Sequence, residues 1–252
     1  HAVNDVSFAV AKGAIKSVIG PNGAGKTTLF NLITGALSAT SGKVRFDGRN
    51  IQGRKSHQIA ACGIARTFQN IKLFHDMTAL ENVMVGRHLR SRAGFVASML
   101  NMPWTLKEEL QIREKSMELL ELLEIAPYAD VEATSLAFGQ QRAVEFARAL
   151  ALDPSLIICD EPVSALDVSI QAQVLNLLID LQEEMNLTYV FIAHDLSVVQ
   201  YISDKVGVMY LGRLVEMAEA HKVYDDPQHP YTESLLGSVP VADPVKRSGE
   251  LN

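Results

Sequence analysis

The chain has 252 residues and a mass of 27.6 kDa, a length that suits one large α/β domain or two small ones. Its 48% hydrophobic and 21% charged residues exclude a disordered chain. The net charge of −6 argues against a general nucleic-acid binder, because such proteins need a basic surface to displace counterions.

Two features of the sequence bear on its cellular location. Cys62 and Cys159 are too few and too far apart for a disulfide framework or a cysteine metal site, and free thiols indicate a reducing compartment. We find no signal peptide, and no apolar run approaches the roughly 20 residues that cross a bilayer. We therefore expect any membrane role to depend on a partner, without direct lipid insertion.

The predicted elements begin with strands at residues 6–10 and 14–19, and the second strand runs directly into a glycine-rich turn. A helix is predicted at 26–37. Residues 43–46 alternate in the manner of an antiparallel strand, and a turn follows at 47–48.

The remainder of the chain is predicted to be mostly helical at first and then to alternate between strands and helices. Residues 76–150 are mostly helical. Apolar strands at 156–159 and 189–193 then alternate with helices at 168–185 and 196–202, and a hairpin follows. This alternation predicts a parallel sheet with helices on both faces.

Residues 20–27 (GPNGAGKT) match the phosphate-binding pattern G-x-x-x-x-G-K-[ST]. Glycines allow successive backbone N–H groups to point at phosphate oxygens, and the positive end of the following helix adds to the field. Lys26 can reach the β- and γ-phosphates, and the Thr27 hydroxyl can ligate Mg²⁺. The predicted strand before the loop and the helix after it argue against an accidental glycine-rich turn.

Polar residues follow two of the predicted parallel strands. Asp160 and Glu161 end the first strand, where Asp160 can hold Mg²⁺ and Glu161 can polarise an attacking water. His194 ends the next strand and should lie at the same edge of the sheet, although a lone histidine is more often structural. Gln69 could offer an amide oxygen to Mg²⁺ or to the lytic water.

Residues 135–142 (SLAFGQQR) open a helix that is predicted to run through residue 151. Gly139 allows close backbone approach, and the helix N-terminus is an anion site. Because this segment lies in the helical part of the chain, a second copy of the protein could bring it to the γ-phosphate.

Taken in order, these motifs resemble those of the ATP-binding cassette (ABC) transporter ATPases over nearly the whole chain. The resemblance implies an α/β P-loop NTPase with a RecA-like parallel-sheet core, an antiparallel β subdomain and an α-helical subdomain. In that family two cassettes enclose two ATP molecules head to tail, and each site pairs one P-loop with the partner's signature motif.

The resemblance also implies a role for each matching residue. Glu161 would be the general base, His194 the switch histidine and Gln69 the Q-loop residue. Mg²⁺ would be held by Thr27, Gln69 and Asp160. The residues implied to bind ATP are Gly20, Pro21, Asn22, Gly23, Ala24, Gly25, Lys26, Thr27, Thr28, Ala137, Phe138, Gly139, Gln140 and Asp167.

The organisation implied is a single ABC ATPase domain over residues 1–252. Residues 1–71 and 152–225 would form the catalytic core with the antiparallel β subdomain, 72–151 the helical subdomain with the signature motif, and 226–252 a C-terminal extension. We expect an ATP-hydrolysing importer subunit that dimerises, as a homodimer or with another ABC ATPase, and powers uptake of amino acids or peptides through integral-membrane permease subunits. It would lie in the cytoplasm on the inner face of the membrane and bind no nucleic acid.

Two subfamilies contribute to the resemblance. Residues 22–151 resemble the ATPases of branched-chain amino acid importers, whereas 157–173 and 228–232 resemble those of oligopeptide and dipeptide importers. One hypothesis is a splice with its seam between residues 149 and 156, and the alternative is a natural sequence that mixes both features. A splice could also leave a nucleotide-binding but weakly active cassette. A soluble ABC ATPase acting on ribosomes or DNA is disfavoured, because the segment before the signature has no sustained heptads.

Three departures from the family pattern lead to further expectations. Ala137 replaces the usual signature serine, so we expect slower but surviving hydrolysis. The sequence starts too late to include the aromatic residue on which the family stacks adenine, which affects affinity and base selectivity. No C-terminal cysteine cluster is present, so we expect no iron–sulfur centre.

Overall fold

The computed structural model describes residues 2–68, 71–88, 103–164 and 168–238. Its strands are β1 (Ile15–Ile19), β2 (Arg45–Phe46), β3 (Arg49–Asn50), β4 (Ile64–Thr67), β5 (Leu156–Asp160), β6 (Thr188–Ile192), β7 (Lys205–Tyr210) and β8 (Arg213–Glu219). Its α-helices are α1 (Lys26–Ile33), α2 (Ser56–Ala61), α3 (Ala79–Arg87), α4 (Pro103–Leu122), α5 (Phe138–Leu150), α6 (Val168–Met185), α7 (Leu196–Ile202), α8 (Ala220–Asp225) and α9 (Pro230–Gly237).

The main sheet has the strand order β4-β5-β6-β1-β7-β8. The first five strands are parallel, and β8 runs antiparallel to β7. Ile192 pairs with both Val18 and Asp160, and Thr67 pairs with Cys159. The carboxyl ends of β4, β5, β6 and β1 therefore meet at one edge, as the alternation of strands and helices predicts.

Helices cover both faces of this sheet, because its central strands are apolar on both sides. Along β6, Tyr189 and Phe191 pack into one core cluster together with residues of α3, α5 and α6. Val190 and Ile192 pack into a second cluster with residues of α1 and α2. All five residues of β1, β5 and β6 are buried, which fixes the position of the loops that follow these strands.

Several predicted boundaries were confirmed and others were wrong. Helices α6 and α7 have the predicted bounds. Residues 6–10 belong to no strand, and instead pack three apolar side chains against the second cluster. Helix α1 ends at Ile33 and not at residue 37, because Gly35 has a φ of +69° and a Cβ there would meet the Arg54 carbonyl oxygen at 2.4 Å.

The helical part of the chain packs closely against itself and against β4. A Cβ at Gly86 of α3 would lie 2.3 Å from the Arg148 carbonyl oxygen of α5, so the glycine permits these two helices to touch. Asn82 is fully buried and holds the loop before α3, accepting from the Phe74 N–H and donating to the Phe74 and Thr78 carbonyls. Among the helices that the structure describes, none is both long and apolar enough to cross a membrane.

Candidate active site

The loop of residues 20–25 follows β1 and bends through three glycines with positive φ. Gly20, Gly23 and Gly25 have φ values of +146°, +81° and +100°. A Cβ at Gly20 would lie 2.1 Å from the Met209 carbonyl oxygen, so this position requires glycine for space as well as for conformation. Gly25 is also the N-cap of α1, which leaves the first N–H groups of that helix at the loop.

The loop is supported from behind by two other parts of the chain. The Gly212 N–H in the β7–β8 turn donates to the Ala24 carbonyl at 3.0 Å, and the Asn4 N–H donates to the Gly212 carbonyl at 2.7 Å. On its outer side, Asn22 and Gly23 are exposed. The loop is thus fixed on one side and open on the other.

Lys26 is the first residue of α1, and its side chain turns back into the loop. Its ammonium donates to the Gly20 carbonyl at 2.7 Å and the Pro21 carbonyl at 2.9 Å. Burial lowers the pKa of Lys26, while the nearby carboxylates of Glu161 and Asp160 act in the opposite direction. The loop therefore brings a cation and the positive end of a helix to one point, which suits a phosphate group.

The next two residues of α1 differ in their exposure to solvent. Thr27 is exposed and Thr28 is half-buried. Thr27 is therefore open to solvent beside the loop.

Asp160 is the last residue of β5, and its carboxylate is paired with an arginine that the sequence analysis missed. The distance from Arg66 Nη2 to Asp160 Oδ2 is 2.8 Å, and the two side chains are only 11% and 6% exposed. Arg66 Nη1 also donates to Asn31 Oδ1 at 2.6 Å and to Thr34 Oγ1 at 3.3 Å. The available signal was a charged residue within a short strand, because strand β4 reads Ile-Ala-Arg-Thr.

Glu161 and His194 are in contact, as expected for residues that follow neighbouring parallel strands. His194 Nε2 pairs with Glu161 Oε1, and the histidine side chain is 45% exposed while that of Glu161 is 8% exposed. Glu161 has a φ of +51°, and its N–H donates to the Ile192 carbonyl at 2.9 Å. Ser164 Oγ donates to the Glu161 carbonyl at 2.9 Å. Seven other non-glycine residues among those described also have a positive φ, so this conformation by itself does not mark a functional site.

The segment around Gly139 forms the exposed start of α5. Ala137 is the N-cap and has no side-chain acceptor, and its N–H donates to Gln140 Oε1 at 3.1 Å. Phe138 is 46% exposed. A Cβ at Gly139 would meet only Ile170 Cγ2, at the ordinary contact distance of 3.6 Å, so the packing within the described residues does not require glycine here.

Two of the residues predicted for the site lie outside the described part of the chain. These are Gln69, which follows Phe68 at the end of β4, and Asp167, which precedes α6. The other predicted residues lie in the loop of residues 20–25, in the first turn of α1, at the ends of β5 and β6, or at the start of α5.

The segment of residues 228–232 docks on β8 through Glu216. The Gln228 and His229 N–H groups each donate to the Glu216 carboxylate at 3.0 Å. Burial alone would raise the pKa of Glu216, but the hydrogen bonds from the Gln228 and His229 N–H groups lower it below its ordinary value. Tyr231 stacks on Tyr210 of β7 with ring centroids 4.1 Å apart.

The sequence matches two family models. The model described as ABC transporter matches residues 3–164, and the model described as oligopeptide/dipeptide transporter, C-terminal region, matches residues 215–252.

Relatives of two kinds are similar to nearly the whole chain. The oligopeptide transport ATP-binding protein OppF of Bacillus subtilis (strain 168) is 44% identical over 244 residues, which is 96% of this chain and 77% of the relative. The high-affinity branched-chain amino acid transport ATP-binding protein BraF of Pseudomonas aeruginosa is 38% identical over 226 residues, covering 90% of this chain and 89% of the relative.

Solved structures agree with this similarity. The ADP conformation of MJ1267, an ATP-binding cassette of an ABC transporter, is similar with a TM-score of 0.77 and 31% identity, covering 94% of this chain and 93% of that one. A dimeric structure of a post-hydrolysis state of the cassette MJ0796, bound to ADP and Pi, has a TM-score of 0.73 and 27% identity over 87% of this chain and 90% of that one.

Proposed function

Since the chain belongs to the ABC transporter family of ATP-hydrolysing proteins, we propose that it is the ATP-binding subunit of an importer for peptides or amino acids. The observation that carries the proposal is the convergence of polar groups at one edge of the sheet. The Lys26 ammonium and the Asp160 and Glu161 carboxylates interact there, and His194 touches Glu161. An edge with this composition can bind a nucleotide's phosphates and activate a water beside them.

We propose that residues 20–28 bind the phosphates of ATP. The helix N-terminus and the backbone N–H groups of the loop attract the anion, and Lys26 would exchange its two loop carbonyls for phosphate oxygens. Binding of that anion would also favour the charged form of Lys26, which burial disfavours.

The available oxygen ligands fit a magnesium ion. The Asp160 carboxylate and the hydroxyl of Thr27, an exposed residue, would supply hard oxygen donors, which Mg²⁺ prefers, and we propose the amide of Gln69 as a third. When bound, Mg²⁺ would neutralise charge that develops on the phosphate oxygens. Arg66 contacts Oδ2 of the Asp160 carboxylate, and we propose the other oxygen as the ligand of Mg²⁺.

Glu161 is proposed as the base that accepts a proton from the attacking water. Its backbone is fixed by hydrogen bonds to Ile192 and from Ser164, so the carboxylate projects from a rigid position. His194 donates to Oε1, and we propose that it holds the carboxylate in position beside the attacking water.

We propose that the start of α5 completes the ATP site of a second cassette. Ala137, Phe138, Gly139 and Gln140 would contact the partner's γ-phosphate, and Asp167 would lie at the interface. Gly139 supports this proposal, because packing within the described chain gives no reason for a glycine there. The dimeric cassette among the similar structures provides a precedent.

The transport partner and location are proposed from the relatives. OppF is named for oligopeptide transport and BraF for branched-chain amino acid transport, and the C-terminal match is to the oligopeptide/dipeptide model. We therefore propose integral-membrane permease subunits as partners, on the cytoplasmic face of the membrane.

We propose that the chain is divided into a catalytic core (1–71 and 152–225), a helical subdomain (72–151) and a C-terminal extension (226–252).

Release of phosphate from ATP, with and without Mg²⁺, tests this function. We expect Mg²⁺-dependent release by the wild type, loss of ATP binding in Lys26→Ala, and retained binding without release in Glu161→Gln. Lys43→Ala, at an exposed lysine that lies outside residues 20–28 in sequence, is the matched control and should behave as the wild type. Binding of ATP by the wild type with no Mg²⁺-dependent release would instead indicate the weakly active cassette.

A further inference from the structure

The end of the β7–β8 hairpin touches the loop of residues 20–25 at two points. The Gly212 N–H donates to the Ala24 carbonyl at 3.0 Å. The Met209 carbonyl lies so close to Gly20 that a Cβ there would approach its oxygen to 2.1 Å. The hairpin therefore forms one side of the loop that is proposed to bind phosphate, and a shift of the hairpin end would change the shape of that loop.

Two consecutive residues at this end of the hairpin contact opposite sides of the sheet, because successive side chains of a strand alternate between its faces. Met209 is fully buried in the second core cluster, which also contains Ala24 of the loop. Tyr210 stacks on Tyr231 in the first turn of α9, with ring centroids 4.1 Å apart and an angle of 23° between the rings. The end of β7 thus lies between the loop and α9.

The pairing of β7 with β8 is irregular close to this end. The register shifts between Val208 and Met209, so that Val215 of β8 is skipped in the ladder. An irregularity of this kind disrupts the hydrogen-bonded ladder locally. Beyond the shift, two residue pairs close the hairpin. Contacts from outside the hairpin therefore contribute more to the position of its end than they would in a regular ladder.

The backbone that carries Tyr231 is fixed on β8. The Glu216 carboxylate accepts hydrogen bonds from the N–H groups of Gln228 and His229, each at 3.0 Å. His229 Nδ1 in turn accepts from the Tyr231 N–H at 3.1 Å and caps α9. The Tyr231 ring therefore extends from a well-defined position on the same hairpin whose end it contacts.

We propose that Tyr231 is a positioning residue for the nucleotide site. Its stack on Tyr210 holds the end of the hairpin against the loop of residues 20–25, and so strengthens the binding of ATP. This inference rests on the proposed function, since it assumes that the loop binds the phosphates of ATP. Because linkage between two sites is reciprocal, bound ATP also strengthens the docking of residues 228–232 on the hairpin.

The first test measures the affinity for ATP by titration calorimetry on the full chain, with EDTA present to prevent hydrolysis. Tyr231→Leu should raise the Kd about threefold to tenfold, since a stacked aromatic pair contributes no more than a factor of about ten to an equilibrium. Tyr231→Phe keeps the ring and should bind ATP as the wild type does. With saturating MgATP, kcat should change less than about twofold, because Glu161 is untouched. An unchanged Kd in folded Tyr231→Leu would overturn the proposal.

Tyr224 provides the matched control. Like Tyr231, it packs against a third core cluster, formed by buried residues of β1, β7, α7 and α8. Its hydroxyl donates to the Leu196 carbonyl at 2.7 Å. Tyr224→Leu makes the same replacement in the same cluster but keeps the stack on Tyr210, so it should lower the melting temperature and leave the Kd for ATP unchanged. An equal loss of affinity in both variants would show a general loosening of the cluster and would overturn the positioning role.

The route through the hairpin is tested with Tyr210→Leu, which breaks the same stack from the other side. The variants at 210 and 231 should lose similar affinity, and the double variant should lose less than about twofold more than either. Multiplicative losses would contradict the proposal. Tyr210 is 37% exposed, so Tyr210→Leu also serves as the second variant if Tyr231→Leu fails to fold. An unchanged Kd in Tyr210→Leu would then overturn the proposal.

Amide hydrogen exchange tests the same link from the other end. In the wild type, ATP with EDTA should slow exchange of the Gln228 and His229 N–H groups, which donate to Glu216. In Tyr210→Leu with saturating ATP this slowing should be lost, and a slowing of the same size would contradict the inference. A wild-type chain that binds no ATP would overturn the proposed function and this inference with it, whereas normal ATP binding in all the variants would overturn this inference alone.

Discussion

Arg66 and Asp160 are joined by an ion pair of 2.8 Å at the edge of the sheet where the loop of residues 20–25 lies. The same guanidinium donates to Asn31 of α1 and to Thr34, which follows the last residue of that helix. One side chain from β4 thus connects the helix that follows the loop to the carboxylate at the end of β5. Arg66 therefore sets the orientation of the Asp160 carboxylate, the proposed magnesium ligand, relative to α1.

We predict that Arg66→Met destabilises the protein by about 3 kcal/mol, because it leaves the Asp160 carboxylate in a buried place without its cation. Addition of Mg²⁺ with ATP should recover more stability in this variant than in the wild type, since it supplies a positive charge near Asp160. Thermal unfolding with MgATP and with ATP plus EDTA measures both effects. The double variant Arg66→Met with Asp160→Asn should lose less than the sum of the single losses, and additive losses would contradict the ion pair's importance.

The alanine at position 137 gives a prediction with two separable parts. Ala137→Ser should raise stability by about 1 kcal/mol, because serine caps a helix where alanine does not. It should also speed hydrolysis, since a hydrogen bond to a charged phosphate contributes roughly 1.5–3 kcal/mol. Ala137→Gly, which adds no hydroxyl, is the control for rate. If denaturation shows the gain in stability but phosphate release is no faster, the proposal that residue 137 contacts the γ-phosphate is wrong.

His194→Ala should lower kcat by about 10²-fold or more, because the Glu161 carboxylate loses the group that holds it. ATP binding should be retained within about twofold, as measured by titration calorimetry. The control is His221→Ala, which removes an exposed histidine that lies 3.6 Å from Glu219. Equal rates for the two variants would show that the contact between His194 and Glu161 has no part in hydrolysis.

The docking of residues 228–232 on Glu216 should depend on pH. The pKa of Glu216 is lowered from its ordinary value of 4.5. The ionised carboxylate therefore stabilises the folded protein fully above pH 4.5, and this stabilisation is lost as the pH falls through the lowered pKa. At pH 7, Glu216→Gln should therefore reduce the melting temperature, and the difference from the wild type should shrink as the pH falls below 4.5. A difference in melting temperature that stays constant between pH 7 and pH 3 would contradict the role of the ionised Glu216 carboxylate in this docking.

Much of the fold follows from patterns within the sequence. The glycine spacing predicts the loop at residues 20–27, and the apolar runs predict the buried strands that lead to it and to Asp160. The contact of Glu161 with His194 follows from one general rule, that neighbouring parallel strands end at the same edge. Residues 6–10 show where such patterns fail, because alternating apolar side chains serve equally well for packing against a sheet without joining it.

The missed parts of the site are contacts between distant segments. Arg66 is 94 residues from Asp160, and no local spacing connects the two. Residues 228–232 resemble a segment of peptide importer ATPases, but their sequence does not show that Tyr231 stacks on Tyr210. That contact, which only the packed structure reveals, is what makes Tyr231 significant.

The central claim, that the chain closes on ATP as a dimer and uses Glu161 to hydrolyse it, is tested most directly with Glu161→Gln. Light scattering should show a monomer with ADP and a dimer with ATP and Mg²⁺, because binding survives while the hydrolysis that reopens the dimer is blocked. A protein that binds MgATP but remains a monomer, or a variant that still releases phosphate at the wild-type rate, would contradict it.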